Sequence, residues 1–349
     1  MSISKAEILS QLSQTLNDYL KLQVGLAEKV DSSYALLWQD IRDYILGGGK
    51  RSRAYLLVLS YLAFGGQEMQ DILDIALSQE ILHTALLIHD DMIDQDFIRH
   101  SRPNLAAIRI EQYKLKSSNM AYHLGNSAAL LSGDLLLSAS YDLILNSCLK
   151  SQIKIKLLKI LQDDIFLVAG GELMDMETFF NKYDQDQALK IINFKTSMYS
   201  FYFPIKMAGI LTKTKLNESL LKWFSFNLGQ IYQLIDDLNN LFSTEIVIGK
   251  PILSDIRDNK KTYIISRVYN DVNEESRRLI DNLMGQHNIS KTDQKKLQSL
   301  IIGSTAYQEI LDLIDNLKIT SLKLLQELPI NNSYLKQFSS YINNLRVGF

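Results

Sequence analysis

Cysteine is almost absent: Cys148 is the one example in 349 residues. No internal disulfide can form, and no cysteine cluster can hold a metal. A reducing compartment, the cytoplasm, is the expected location. Proline is scarce too, at positions 103, 204, 251 and 329, which leaves long helices uninterrupted and excludes a proline-rich linker. An excess of either charge is also missing. The balance of 37 basic against 39 acidic residues gives −2, so there is no electrostatic case for a nucleic-acid partner. No unbroken run of about 18 apolar residues occurs; the longest candidate, 128–145, is cut by Ser132-Gly133-Asp134 and by Asp142. Met1 to Glu7 lacks the charged-then-apolar pattern of a signal peptide. A soluble protein without a stable membrane anchor is expected.

What is present is apolar spacing of the helical kind. Hydrophobic residues make up 46% of the chain, enough for a substantial core, and they recur at i, i+3 and i+4 almost everywhere. The pattern predicts helices over 6–30, 34–46, 51–64, 120–146, 153–178, 186–212, 217–242, 261–285 and 306–327, with another through Ile81 to Asp94. Strand-like alternation is hard to find, so the fold class is all-α. Loops are expected at Gly47-Gly48-Gly49, at Arg99 to Asn104 and across Ser243 to Asn259. No repeat is strong enough to mark a duplication, and a single domain over 1–349 is expected.

Two aspartate groups of one design interrupt this apolar background. Asp90-Asp91-Met92-Ile93-Asp94 and Asp236-Asp237-Leu238-Asn239-Asn240 each follow a greasy helical run. Carboxylates gathered in such a place are costly unless positive charge neutralises them. Residues four apart on a helix sit about 40° from each other and about 6 Å along the axis. Asp90 and Asp94 therefore share a face that can clamp a hard cation, with Asp91 flanking it. Magnesium fits, since it binds through one or two carboxylates plus the phosphates of a substrate. A single acidic helix end is commonplace on surfaces; two after apolar helices point to a diphosphate handled in an oily place. Ahead of the helix predicted from 51, Gly47-Gly48-Gly49-Lys50-Arg51-Ser52-Arg53 offers a close-approaching backbone and cations. It lacks the serine or threonine after the lysine that a nucleotide-binding loop carries.

These pieces occur in a definite order: Gly48-Gly49-Lys50-Arg51-Ser52-Arg53, His83 to Asp94, Gly133-Asp134, Gly171 to Asp175, Lys195-Thr196, Tyr232 to Asp237, Gly249-Lys250, Ser254-Asp255 and Asn259-Lys260-Lys261-Thr262. In that order and spacing the chain resembles the trans-isoprenyl diphosphate synthases (polyprenyl synthetases) of the farnesyl and geranylgeranyl type. The resemblance implies a large helical bundle with a central active-site cavity, a homodimer, and three magnesium ions. It implies Asp90 and Asp94 as ligands of two ions on the allylic diphosphate, and Asp236 as ligand of a third, with Asp91, Asp237 and Asp175 near them. Arg99, Lys195, Lys250 and Lys260 would hold that diphosphate. Lys50, Arg53, His83 and, with Arg99, His100 would hold isopentenyl diphosphate. Thr196 and Gln233 are similar to residues facing the developing allylic cation.

Without the family spacing, His83 reads as a core histidine and Lys195-Thr196 as a solvated position. Departures from the family pattern are His100 in place of a second arginine, Asn240 in place of a last aspartate, Glu172 in place of glutamine, and Ser243-Thr244. They leave open a non-catalytic regulatory subunit of a heteromeric synthase. A terpene cyclase is a third reading, one with little use for Lys50, Arg53 and His83. Ala85 and Leu86, about 6–7.5 Å below Asp90 along its helix, would border the growing tail. Neither is a bulky aromatic, so a product of geranylgeranyl (C20) length or longer is expected, and Ala85→Phe should shorten it.

Overall fold

The computed structural model describes residues 3–117, 119–244 and 252–347, the side chain of Asp71 apart. Two compact units are present: Met1–Lys159 with Met207–Lys213, and Ile160–Lys206 with Thr214–Phe349. The all-α expectation holds, since among the regular elements of the described residues a hairpin of two two-residue strands is the one exception to helix.

The first unit is built on α1 (Lys5–Glu28), α2 (Ser32–Leu46), α3 (Ser52–Ala63), α4 (Met69–Ile93), α5 (Leu105–Lys114) and α6 (Ala121–Asn146). Local chemistry fixes several starts. Ser4 and Glu7 close a capping box on α1, while Asp31 and Asn104 accept backbone N–H groups at the starts of α2 and α5. One core joins the helices: Leu16 and Leu20, Trp38 and Ile41, Ile81, Ala85 and Ile88, and Ala128 and Ala129 pack together. Small residues let α4 and α6 close up, and Ser78 Oγ donates to the Ser140 carbonyl at 2.8 Å. Gly133 has no room for a side chain, since a Cβ there would lie 2.1 Å from His89 Nε2.

The expected loop after α4 is a hairpin, β1 (Ile98–Arg99) against β2 (Arg102–Pro103). Its two turn residues, His100 and Ser101, both have positive φ, 52° and 60°. That tight turn matches the strand twist but strains any residue other than glycine. The expectation that no segment is long and apolar enough to cross a membrane also needs correction. Ile72–Ile93 and Ala121–Asn146 both pass by length and composition. The first is mostly buried as a core helix, whereas only 39% of the apolar window in the second is covered.

The second unit contains most of α7 (Ser151–Glu177), α8 (Gln185–Ile191), a π-helical stretch over 192–202, and α10 (Glu218–Phe242); α9 (Phe203–Thr212) begins in it. A continuous helix was expected over 186–212. Its middle is widened instead, and Ser197 Oγ bonds back to the Ile192 carbonyl five residues earlier. Glycines press on this stretch from two helices. A Cβ at Gly171 of α7 would lie 2.6 Å from the Lys195 nitrogen, and one at Gly229 of α10 would lie 2.0 Å from Ser197 Oγ. The predicted helix over 261–285 is two helices, Tyr263–Asp271 and Glu274–Leu283, the second restarted by Asn273, whose side chain caps it. Further helices span Lys291–Gly303, Thr305–Glu327 and Asn332–Asn343.

Gly229→Ala should therefore destabilise the chain by about 1–3 kcal/mol through overpacking. Urea denaturation checks this, and Ser197→Gly in the same chain should restore part of the loss. An unshifted midpoint for Gly229→Ala would contradict the close approach.

Candidate functional site

Asp90, Asp91 and Asp94 sit on the last turn and C-cap of α4, where the helix dipole favours cations over carboxylates. A cation is supplied from the hairpin. Arg99 Nη2 donates to Asp90 Oδ2 at 3.0 Å, and its Nε donates to Asp91 Oδ1 at 2.6 Å. Asp91 is buried and takes a further hydrogen bond from Tyr44 Oη at 3.3 Å. Burial pushes its carboxyl up to about 6, against the pull of Arg99. Asp90 and Asp94 are only partly buried. Their oxygens are the accessible ones of this group.

The glycine loop lies close under the hairpin. A Cβ at Gly47 would meet Arg102 Nη1 at 2.9 Å, one at Gly48 would meet the His100 ring at 2.9 Å, and Gly49 has φ +103°. Lys50 is exposed. Arg51, in the left-handed region at φ 50°, is bound to the Ile45 carbonyl and to buried Glu80 at 2.9 Å. Arg53 Nη1 stands 3.0 Å from His83 Nε2. A guanidinium can only donate, so Nε2 accepts and the imidazole is neutral. Burial and then Arg53 hold the His83 pKa well below its ordinary value. Burial, with Arg99, Arg51 and Lys50, lowers His100 as well. Both expected histidines therefore bring hydrogen bonds, and the positive charge is carried by the lysine and arginines. Ala85 is fully enclosed in the apolar core, whereas Leu86 is partly exposed.

The second group belongs to α7, the π stretch and α10. Lys195 Nζ sits 2.8 Å from Glu172 Oε2 and 2.8 Å from Asp175 Oδ2, and Lys260 Nζ is 3.9 Å from the same Asp175 oxygen. Thr196 Oγ1 donates to Gln233 Oε1 at 2.9 Å, and Gln233 Nε2 donates to Asp237 Oδ1 at 2.9 Å. Asp237 is buried while Asp236 is exposed. Burial first, then Asp255, Asp236 and Asp175, push the Asp237 carboxyl well up, against the Gln233 hydrogen bond. Asn240 points elsewhere: its Nδ2 donates to Ser254 Oγ at 2.7 Å, and it is buried. At this position a carboxamide does structural work that a carboxylate could not do by donation. Lys261 donates to the Thr178 and Phe179 carbonyls at 2.8 and 3.2 Å, fastening the short 3-10 turn that follows α7. Lys250 lies outside the described residues.

The donors at both groups are carboxylate oxygens, the chemistry of a hard divalent cation. Among the described residues no three His, Cys, Asp or Glu side chains form a closed cage. The like charges crowding Asp237 fit a cation as well. Roles for Glu80, Tyr44, Asp255 and Lys261 were not read from the sequence. Asp255 and Lys261 lie in the ordered family pieces, and Glu80, three residues before His83 and so on the same helix face, also had a signal that could have been used.

His83 should remain neutral throughout the physiological range. Because its folded value is lowered, the unfolded chain binds more protons below pH 6.5, so this group's contribution is fully present above that pH and is lost as pH falls. Nitrogen-15 NMR of the imidazoles checks it, and Arg53→Met should raise the value. Titration of His83 at 6.5 or above would contradict the pairing.

The polyprenyl synthetase family model matches residues 36–301. Geranylgeranyl diphosphate synthase of Saccharolobus solfataricus is 28% identical over 321 residues, covering 90% of each chain. All-trans-nonaprenyl-diphosphate synthase (geranyl-diphosphate specific) of Rhodobacter capsulatus is 27% identical, covering 83% of this chain and 82% of its own. Among solved structures, the geranylgeranyl pyrophosphate synthase of Corynebacterium glutamicum, complexed with isoprenyl diphosphate and magnesium, superposes with a TM-score of 0.92. It covers 98% of this chain and 99% of its own at 22% identity, which shows the shared fold. With the family model spanning both aspartate groups, the glycine loop and Lys195 to Lys260, the chain belongs to the polyprenyl synthetase family.

Proposed function

We propose that this protein joins isopentenyl diphosphate to an allylic diphosphate, with magnesium, to give a prenyl chain of C20 or longer. One observation carries the reading: in each unit, exchangeable cations sit on carboxylates, Arg99 on Asp90 and Asp91, and Lys195 and Lys260 on Asp175. A metal-bearing diphosphate offers the same charges in reverse and can replace these pairs. Asp90, Asp94 and Asp236 would hold magnesium, with Asp91, Asp175 and Asp237 beside them. When bound, the ions (three in this reading) supply the Lewis-acid charge that weakens the allylic C–O bond.

The chain's own residues do the rest. Arg99, Lys195 and Lys260 bind oxygens of the allylic diphosphate, and Lys250 is assigned the same task. Lys50 and Arg53 bind the second diphosphate by charge, and His83 and His100 as neutral hydrogen-bonding groups. As the C1–O bond breaks, positive charge grows on the allylic carbon. The Thr196 hydroxyl already spends its proton on Gln233, so its lone pairs are free to face that charge. The isopentenyl double bond forms the new C–C bond, a proton leaves C2, and the departing diphosphate accepts it. No side-chain base is needed.

The assay is purified chain alone with magnesium, farnesyl diphosphate and labelled isopentenyl diphosphate, with products sized by chromatography. Products of C20 or longer are expected, none after chelation, and Asp90→Ala or Asp236→Ala should cut kcat at least about a hundredfold. Since Leu86 is partly exposed and Ala85 is packed in the core, Leu86→Phe should shorten the product with turnover retained. Absence of turnover by the chain alone would favour a regulatory subunit; arrest at C15 would refute the product length.

The exposed apolar face of α6, with Leu124, Leu130, Leu131 and Leu145, is assigned to a second copy of the chain. Free Cys148 is exposed, which suits the cytoplasm. Sedimentation should give a dimer, and Leu130→Glu with Leu131→Glu should dissociate it. A wild-type monomer at micromolar concentration would overturn that assignment.

A further inference from the structure

Between α7 and α8 the chain runs through the 3-10 turn Thr178–Phe180 and on through Tyr183. Burial holds this connection weakly, since Phe179 and Phe180 are 54% and 84% exposed and little apolar area leaves water. Polar groups from elsewhere in the second unit hold it instead. The Lys261 ammonium donates to the Thr178 and Phe179 carbonyls and, at 3.3 Å, to Asn259 Oδ1. That makes three acceptors, as many as an ammonium has N–H groups.

A second fastening lies at Tyr183. Its ring stacks on that of Tyr269, with centroids 3.7 Å apart and planes 16° from parallel. Lys261 Nζ lies 5.7 Å from the Tyr183 ring centre, and Arg277 lies 5.5 Å from that of Tyr269, so a cation serves each ring. Both phenols donate to one carboxylate, Tyr183 to Asp281 Oδ1 and Tyr269 to Asp281 Oδ2, each at 3.0 Å. Burial, then Asp281, raises the Tyr183 hydroxyl above its ordinary pKa, so it stays a donor. Tyr269 and Asp281 belong to the helices Tyr263–Asp271 and Glu274–Leu283. The connection is thereby tied to two further elements.

These ties end beside the site. Thr178 Oγ1 donates back to the Asp175 carbonyl at 2.6 Å. Lys261 follows Lys260, whose ammonium is 3.9 Å from Asp175 Oδ2. The bond from Lys261 to Thr178 therefore joins the backbone behind Asp175 to the backbone behind Lys260, across 83 residues of sequence. We propose that Lys261, Tyr183, Tyr269 and Asp281 are positioning residues that hold Asp175 and Lys260 in register for the allylic diphosphate. The inference rests on the reading given above, in which those two residues attend that diphosphate. None of the four touches substrate in this arrangement.

Tyr183→Leu removes the stack and one phenol without changing charge. It should raise the KM for farnesyl diphosphate about three- to tenfold, the scale of one hydrogen bond or ring pair lost. The KM for isopentenyl diphosphate should not move. Calorimetric titration with inorganic diphosphate and magnesium should show the same weakening without turnover. Tyr183→Phe keeps the ring and should recover most of the wild-type value, while Lys261→Met should raise the same KM as Tyr183→Leu. Should Tyr183→Leu not fold, Asp281→Ala, at an exposed carboxylate, takes its place with the same expected rise. An unchanged KM for farnesyl diphosphate or an equal rise in both KM values overturns the proposal, as does a Tyr183→Phe enzyme shifted as far as Tyr183→Leu. Wild-type chain that makes no prenyl product overturns the functional reading itself, whereas wild-type turnover with an unshifted KM in these variants overturns this inference alone.

Discussion

Arg99 lying across Asp90 and Asp91 is the contact on which the first unit's site depends. Carboxylates at the negative end of α4 oppose the helix dipole, and burying Asp91 adds a desolvation cost. The guanidinium offsets both. It can do so only because β1 and β2 turn sharply enough to bring it back over the helix end. That turn puts His100 and Ser101 in the left-handed region, at roughly 1–2 kcal/mol each. The strain is tolerated because Gly47 and Gly48 lack the side chains that would collide with Arg102 and His100. One ion pair, one strained turn and two glycines therefore form a single device.

The second unit meets the same problem with other parts. Asp175 is fitted with Lys195 and Lys260, and Asp237 takes a hydrogen bond from Gln233. Close approach again does the positioning: Gly171 and Gly229 let two helices press on the π stretch from which Lys195 and Thr196 project. Removing one partner of a buried pair is expensive, whereas exchanging it for an equivalent charge is cheap. In the proposed reading, sites built from such pairs would accept a metal-bearing diphosphate by swapping partners, with little net change in buried charge.

Helix positions were legible because apolar spacing and capping residues agree. The ends of α2, α6 and α10 fall within two residues of the periodicity. The aspartate groups were legible because charge inside apolar runs is costly and therefore conspicuous, whereas the lysines were legible only through the order and spacing of the family pattern. Contacts that depend on backbone proximity were not. Nothing in the local pattern of 186–212 announces a widened helix, since the cause lies in Gly171 and Gly229, far away in sequence. The hairpin was hidden for a related reason: a turn through His100 and Ser101 runs against local preference and exists because Arg99 has a partner. Asn240 could be noted as a departure, but its bond to Ser254 could not be foreseen from its position in the aspartate group.

Product length illustrates where overall likeness stops informing. Relatives with names as different as geranylgeranyl and nonaprenyl synthase stand at 28% and 27% identity, so global similarity does not separate them. A tail of isoprene units is read by the volume and stiffness of the wall it meets, a property of very few side chains. Ala85 is enclosed by Ile81, Ile88 and Ala129 of the core, and enlarging it would strain packing before it met any substrate. Leu86 keeps part of its surface uncovered. In the proposed reading a branched aliphatic chain there, which can change rotamer at modest cost, would narrow the tail's path without sealing it. An aromatic ring cannot fold away in the same manner, and in the proposed reading that difference in shape, more than in hydrophobicity, would set how long a chain can grow.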